Sequence, residues 1–122
     1  MNTYKGIVEK GDGLAGRDYG VPTANLMLGH DIGIDFGVYA ARTKCAAGIF
    51  NSTVCYGVGS PPKFEVHLLG FDGNLLGKEI EVEILERISE LVPWQSLERM
   101  RQKILHDIEM AKEIFKSHDK TK

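Results

Sequence analysis

Residues suited to binding phosphate are concentrated in a glycine-rich segment near the N-terminus, where residues 16–25 read Gly-Arg-Asp-Tyr-Gly-Val-Pro-Thr-Ala-Asn. Gly11, Gly16 and Gly20 would let backbone N–H groups approach phosphate oxygens closely. Arg17 would add a fork of charged donors. The segment is not a P-loop, because the Gly-Lys-Ser/Thr ending and the helix that follows it are both missing. On these residues alone, a plain surface loop is the alternative.

Thr23 and Asn25 are candidate metal ligands at the end of this segment. Pro22 fixes its own φ and biases Val21 towards an extended conformation. If the chain stays extended, Thr23 and Asn25 point to the same side and present a hydroxyl and an amide oxygen. Mg²⁺ accepts such neutral ligands when nucleotide phosphates supply the negative charge. The alternative is that both side chains only satisfy hydrogen bonds of a turn.

Glu65 and His67 are the candidate acid–base residues. The alternation of Phe64, Val66 and Leu68 predicts a strand with these apolar side chains on one face, which places Glu65 and His67 together on the other. A carboxylate there could accept a hydroxyl proton, with the imidazole nearby to bind phosphate. A solvated outer face is the alternative. The row of glutamates 79, 81 and 83 has no basic partner and is interpreted as a solvated face.

Length, composition and net charge indicate the kind of domain that carries these residues. A chain of 122 residues, 43% hydrophobic and 26% charged, predicts a single globular domain over 1–122. The net charge of −2 gives no general attraction to nucleic acid or an anionic membrane. No apolar run approaches the roughly 20 residues that span a bilayer. With no signal peptide among the first residues, we expect a cytoplasmic protein that binds neither nucleic acid nor membrane.

Cysteine and histidine usage argues against a disulfide framework or a zinc site. Cys45 and Cys55 lie in or beside apolar stretches, so free thiols, buried or half-buried, are expected. The four histidines are scattered without the close spacing of zinc ligands.

Glycine and apolar patterning predict short strands followed by one helix. Most of the 14 glycines precede residue 78, which is typical of strands joined by tight loops. Phe71-Asp72-Gly73-Asn74 has the composition of a hairpin turn. Five or six strands and a terminal helix favour a small closed antiparallel barrel with the helix packed on it. The predicted strands cover residues 4–9, 37–44, 46–56, 63–71 and 78–87.

The C-terminal region has the pattern of one amphipathic helix, predicted over about 96–116 with Ser96 as its N-cap and 117–122 as a frayed tail. Its apolar side chains recur at steps of three and four, which forms one stripe. The stripe consists of Leu97, Met100, Ile104, Ile108, Ala111 and Phe115.

Taken in order, these motifs resemble the riboflavin kinase (flavokinase) family over roughly residues 6–115. The resemblance rests on Pro-Thr-Ala-Asn after a Gly-rich loop together with Glu-Val-His-Leu-Leu at 65–69. The other matching residues are Gly6, Val8, Gly11, Gly16, Arg17, Gly20, Leu26, Gly37, Val38, Tyr39, Phe71, Gly77, Gln95, Ser96, Leu97, Ile104, Asp107 and Ala111.

The resemblance implies a mainly β fold, a six-stranded antiparallel Greek-key barrel with a C-terminal α-helix. It also implies phosphorylation of riboflavin to FMN with ATP as co-substrate. Thr23 and Asn25 would help hold Mg²⁺, and Glu65 would act as the general base. The nucleotide would contact Gly11, Gly16, Arg17, Gly20 and His67. A monomer suffices for such an enzyme, with riboflavin and ATP as its small-molecule partners.

Several positions depart from the family pattern on the side expected to hold flavin and the nucleotide base. Ser89 and Leu91 stand where an Arg and a Glu are usual, and Leu76 stands where an aromatic residue often precedes the glycine. Residues 51–57 also differ, and Gly70 replaces a common Asp. Two alternatives therefore stay open: a barrel that binds flavin or nucleotide without catalysis, and a kinase for another small alcohol.

Overall fold

The computed structural model describes residues 2–9, 23–29, 31–57, 62–93 and 95–120, and it shows a barrel with one helix on its outside. Six strands pair in the order β1-β2-β5-β4-β3-β6 and close into a barrel, and every pair is antiparallel. This confirms the predicted mainly β fold. The elements are β1 (Thr3–Glu9), β2 (Ala24–Leu26), β3 (Gly37–Cys45), β4 (Gly48–Gly57), β5 (Lys63–Leu68), β6 (Glu79–Ser89) and α1 (Leu97–Lys120).

The strand order is that of a Greek key, because β3, β4 and β5 are successive neighbours and β6 returns to lie beside β3. Only the β3–β4 connection is a tight two-residue turn within the described chain, with Cys45 paired to Gly48. The order places β2 next to a strand that comes much later in the sequence.

Period-two alternation decides which side chains fill the barrel. On β6, Ile80, Val82 and Ile84 are buried while the intervening glutamates are half-buried or exposed, as the sequence predicts. On β5, Phe64, Val66 and Leu68 point inward in the same way. The buried cluster that results contains Val8, Leu26, Tyr39, Ala41, Val54, Tyr56, Phe64, Val66, Leu68, Ile80, Val82 and Ile84.

The predicted hairpin at residues 71–74 is wrong. β5 and β6 are not neighbours in the barrel, so their connection must cross from one strand pair to another. Its residues form an irregular loop instead of a two-residue turn, and β5 ends at Leu68. Gly70 and Gly77 both take positive φ, so the glycine signal marked a change of direction but not a hairpin.

Helix α1 packs on the outer face of β3, β4 and β6. Ser96 caps it, with the Ser96 Oγ accepting a hydrogen bond from the Arg99 N–H at 3.2 Å. Ala111 and Phe115 are buried against Ala40 of β3, which confirms the C-terminal part of the predicted stripe. Leu97 lies at the start of the helix and is 41% exposed, so the stripe does not begin there.

The helix continues to Lys120, past the predicted end at residue 116. Its last turn is tied to the barrel, because Arg42 of β3 forms an ion pair with Asp119. His118 also lies 3.5 Å from the Glu86 carboxylate of β6. These contacts explain why residues 117–120 are helical although their sequence is polar. In the part of the chain that the structure describes, no helix is long and apolar enough to cross a membrane.

Candidate active site

The pairing of β2 with β5 brings two predicted site residues together. Asn25 and Glu65 are direct register partners in this antiparallel pair. Side chains that face each other in such a pair lie on the same face, with Cβ atoms roughly 4.5–5.5 Å apart. Because their neighbours Leu26 and Val66 point into the core, Asn25 and Glu65 point outward. The structure therefore places a carboxylate beside an amide on the outer surface of the barrel.

The side chain of Asn25 carries a hydrogen-bond acceptor that has no partner among the described residues. Its Oδ1 is buried, and no donor in the described part of the chain bonds to it. A buried carbonyl oxygen left unpaired destabilises a protein by about 1–3 kcal/mol, so such atoms are rare without a functional reason. An oxygen that lacks a donor is suited to a cation, and the donor chemistry at this position fits a magnesium ligand.

His67 lies on the same outward face of β5, two residues after Glu65. Its register partner on β4 is Thr53, which is buried. Burial lowers the pKa of the His67 imidazole below its usual value, so the ring is neutral near pH 7. Its Nδ1 is buried and accepts no hydrogen bond from described residues. A neutral ring can orient a donor or donate one hydrogen bond, but it brings no fixed positive charge to a phosphate.

The remaining predicted binding residues belong to the N-terminal segment. Thr23 immediately precedes β2 and is exposed, two residues before Asn25. Gly11, Gly16, Arg17 and Gly20 lie outside the described residues. The role of the glycine-rich segment therefore stays a prediction.

Cys55 on β4 is the other register partner of Glu65. Asn25, Glu65 and Cys55 therefore form a row of outward-pointing residues across β2, β5 and β4. Both cysteines are free and half-buried, as the sequence predicts. Burial raises the pKa of the Cys55 thiol to about 12, and the negative charges of Glu65 and Asp107 add to this effect while Lys103 opposes it. The thiol is therefore protonated at neutral pH and is a poor nucleophile. The charges of Glu65, Asp107 and Lys103 therefore all lie close enough to Cys55 to act on its thiol.

Asp107 of α1 is held at the far end of this row by two partners. Its Oδ1 accepts a hydrogen bond from the Ser89 Oγ at 2.8 Å, and its Oδ2 accepts one from the Lys103 Nζ. Lys103 also donates to the Ser89 Oγ at 2.8 Å. Asp107 is only 5% exposed, whereas the Lys103 side chain is 21% exposed, so the ion pair is partly buried. The position at which the sequence departs from the family pattern, Ser89, is thus part of a closed polar cluster.

A second departure, Leu91, lies on Gly57 at the end of β4. A Cβ added at Gly57 would approach the Leu91 Cδ1 to 2.5 Å and the Phe36 Cγ to 3.0 Å, so only glycine fits between these side chains. Arg87 fixes this region by donating a hydrogen bond to the Phe36 carbonyl at 2.9 Å. The surface beside the site is therefore apolar where the family pattern has a charged residue.

Fold and site together define a small antiparallel barrel whose candidate functional face lies outside, between a short strand and a C-terminal helix. The sequence model of one family, described as riboflavin kinase, matches residues 2–115. The chain belongs to the riboflavin kinase (flavokinase) family.

A curated relative supports this assignment, and two solved structures share the fold. The chain is 34% identical over 108 residues to a bifunctional riboflavin kinase/FMN adenylyltransferase of Haemophilus influenzae, covering 84% of this chain and 35% of that protein. A riboflavin kinase structure from Trypanosoma brucei aligns over 93% of this chain and 79% of its own, with a TM-score of 0.65 and 17% identity. A Streptococcus pneumoniae structure described as a macrolide-efflux protein aligns over 90% of this chain and 38% of its own, at a TM-score of 0.80 and 24% identity.

These likenesses differ in what they establish. Both structural likenesses are to proteins of low sequence identity and concern the fold alone. The chain spans about a third of the length of the bifunctional relative, so that protein's activities do not pass to it directly.

Two residues at the site were not singled out from the sequence. Cys55 adjoins Glu65 only because β4 pairs with β5, and nothing local to the sequence indicates that register. Lys103 precedes Asp107 by one helical turn, and this (i, i+4) spacing was the available signal.

Proposed function

We propose that this chain transfers the γ-phosphoryl group of ATP to the terminal ribityl hydroxyl of riboflavin, with Glu65 as the general base. The observation that carries the proposal is the register pairing of Asn25 with Glu65. It joins a metal-type ligand and a proton acceptor on one outward face. Family membership supplies the identity of the acceptor, riboflavin.

The chemistry requires few side chains, because phosphoryl transfer depends mainly on alignment and on neutralising charge. The acceptor oxygen forms a bond to the γ-phosphorus, the bond between the γ-phosphorus and the bridging oxygen breaks, and ADP leaves. Glu65 takes the proton of the attacking hydroxyl. Its position beside Cys55 brings no competing nucleophile, because that thiol stays protonated.

Asn25 and Thr23 are the residues that would hold Mg²⁺. The Asn25 Oδ1 supports this role, because no described donor bonds to it. When bound, the ion would neutralise charge on the nucleotide phosphates. No described acidic side chain is needed as a ligand, since the phosphates themselves provide the negative charge. His67 would act as a neutral donor towards the nucleotide from the same face of β5, and Gly11, Gly16, Arg17 and Gly20 would cover its phosphates.

The test is FMN formation by purified protein supplied with riboflavin, ATP and Mg²⁺, followed by chromatography of the flavins. We expect FMN to accumulate in proportion to the enzyme, and its formation to stop when the divalent metal is chelated. CTP and GTP serve as nucleotide controls. Flavin that binds without ever being converted would contradict the proposal and favour a non-catalytic barrel.

A second candidate is a kinase for another small alcohol, favoured by the apolar contact of Leu91 with Gly57 where the family pattern has a charged residue. Competition distinguishes the two candidates. If riboflavin is the acceptor, ADP release from ATP should depend on riboflavin and should not rise with other polyols. ADP release driven by a different alcohol, with riboflavin acting only as a competitor, would favour the second candidate.

A further inference from the structure

A partly buried polar cluster, which we name the strand–helix clamp, joins the end of β6 to the first half of α1 and consists of Ser89, Lys103 and Asp107. Its three side chains bond to one another in a closed set. Burying a carboxylate away from water is unfavourable unless the group has both an ion-pair partner and a hydrogen bond. Asp107 has both, from Lys103 and Ser89. The clamp is therefore a fixed point of contact between helix and barrel.

Strand register places the clamp in line with the proposed active site. Glu65 faces Cys55, Cys55 faces Val38, and Val38 faces Ser89. Neighbouring strands lie about 4.8 Å apart, so Ser89 is roughly 14 Å from Glu65 along the outer surface. Asn25 lies on the opposite side of Glu65. One outward row thus runs from the proposed metal ligand, past the proposed base, to the clamp.

The two sides of Glu65 are suited to different substrates. The attacking and leaving oxygens of a phosphoryl transfer lie roughly in line, so nucleotide and acceptor must approach from opposite sides. We place the nucleotide on the Asn25 side, because the buried Asn25 Oδ1, to which no described donor bonds, is suited to a cation. The flavin ring of riboflavin, the acceptor molecule, then extends over Cys55 towards α1. The clamp fixes the position of α1 at this point.

We propose that Lys103 is a positioning residue for the acceptor: by holding Asp107 and Ser89, it fixes the helix wall against which the flavin is bound. This inference rests on the proposed riboflavin kinase activity. Lys103→Met leaves the buried Asp107 carboxylate with the Ser89 hydrogen bond but without an opposite charge, so we expect the helix to shift until water reaches it. This shift of α1 widens the space for riboflavin between Glu65 and the helix. The surface around Asn25, on the other side of Glu65, stays unchanged.

The experiment compares Lys103→Met with Lys103→Arg and with Lys112→Met. Lys112 is a matched control, since it belongs to the same helix and pairs with Glu109 in an exposed ion pair at 3.3 Å. The measurements are KM for riboflavin, KM for ATP, the riboflavin dissociation constant from flavin fluorescence, and the thermal midpoint. The dissociation constant is measured without ATP, so it does not depend on turnover.

For Lys103→Met we expect KM and Kd for riboflavin to rise about tenfold while KM for ATP changes less than about twofold. Lys103→Arg keeps the charge and a donor to Asp107 and should restore riboflavin affinity to within about threefold of wild type. Lys112→Met should match wild type. A purely structural role would lower the thermal midpoint without separating the two KM values, and that result would overturn the inference.

Ser89→Ala keeps the test valid if Lys103→Met does not fold, because it removes the two hydrogen bonds of the Ser89 Oγ but keeps the Lys103–Asp107 ion pair. We expect a rise of about two- to threefold in riboflavin Kd, with ATP binding unchanged. Wild-type riboflavin affinity in Ser89→Ala would then overturn the inference.

The wild-type protein separates failure of this inference from failure of the proposed function. If the wild type makes FMN and Lys103→Met binds riboflavin normally, only the inference fails. If the wild type neither binds nor converts riboflavin, the proposed function fails and the inference fails with it. If the wild type binds riboflavin without converting it, the Kd comparison decides the role of Lys103.

Discussion

The two faces of β5 differ in what they contribute: one packs in the core and the other carries polar residues of the candidate site. Phe64, Val66 and Leu68 point inward and are buried in the barrel, whereas Glu65 and His67 point outward with incomplete hydrogen bonding at the imidazole. The inward face stabilises the fold, and the outward face carries an imidazole Nδ1 to which no described residue bonds. Adjacent residues of one strand should therefore affect different measurements when they are changed.

Phe64→Ala should cause the largest loss of stability. Phe64 is 1% exposed and packs against Tyr4 and Tyr56, so truncation leaves a cavity. We expect the free energy of unfolding to fall by about 3–5 kcal/mol, measured by urea denaturation. Ile49→Ala is the control, because Ile49 is 68% exposed and should change stability by less than about 0.5 kcal/mol. Equal losses for both variants would contradict the assignment of the inner face.

Asn25→Ala should weaken function without weakening the fold. Because its Oδ1 is buried and unpaired within the described chain, removing the amide should leave stability unchanged or raise it by up to about 1 kcal/mol. The Mg²⁺ concentration that gives half-maximal FMN formation should rise about tenfold. An unaltered Mg²⁺ requirement would show that this oxygen does not bind the metal.

Ser96→Ala should affect stability alone. Its hydroxyl oxygen accepts a hydrogen bond from the Arg99 N–H, and loss of an N-cap costs about 1 kcal/mol. Riboflavin phosphorylation by the folded variant should be unchanged. Ser117→Ala serves as the control, since Ser117 is an exposed residue near the other end of α1. If the two variants unfold at the same urea concentration, the cap contributes nothing.

His67→Gln should have the smallest effect, visible in the pH dependence of stability. The folded protein holds the His67 pKa below its usual value near 6.5, so the unfolded chain binds a proton more readily. Wild-type stability should therefore fall as pH decreases from about 6.5 towards the folded pKa, and His67→Gln should remove part of that slope. His106→Gln, which changes an exposed histidine on α1, should retain the slope. A wild-type slope in His67→Gln would contradict the cause assigned to its pKa.

Local patterns were sufficient to predict most elements of the fold. The alternation along β6, the capped start of α1 and the outward placement of Glu65 and His67 follow from spacing within a few residues, which determines the face of a strand or helix. The polar end of the helix was not predicted, since contacts of Asp119 and His118 with the barrel stabilise it.

Long-range pairing was not available from these patterns. That Asn25 lies beside Glu65 depends on β2 returning next to β5, and only the family resemblance connected the two motifs beforehand. The same limit explains the incorrect hairpin at 71–74, where the turn composition was right and the strand partners were not. The clamp was missed because it requires knowing which strand end lies under Lys103 and Asp107.

The role of Glu65 is tested most directly by a single-turnover measurement of FMN formation by Glu65→Gln at saturating ATP and riboflavin. Glu81→Gln is a matched control, because Glu81 is also a half-buried glutamate on a barrel strand, with Lys5 and Lys44 as register neighbours. We predict that Glu65→Gln slows phosphoryl transfer by about 10²–10⁴-fold, while ATP affinity stays within about twofold and Glu81→Gln behaves as wild type. FMN formation at the wild-type rate by Glu65→Gln would contradict the role of Glu65 as the base.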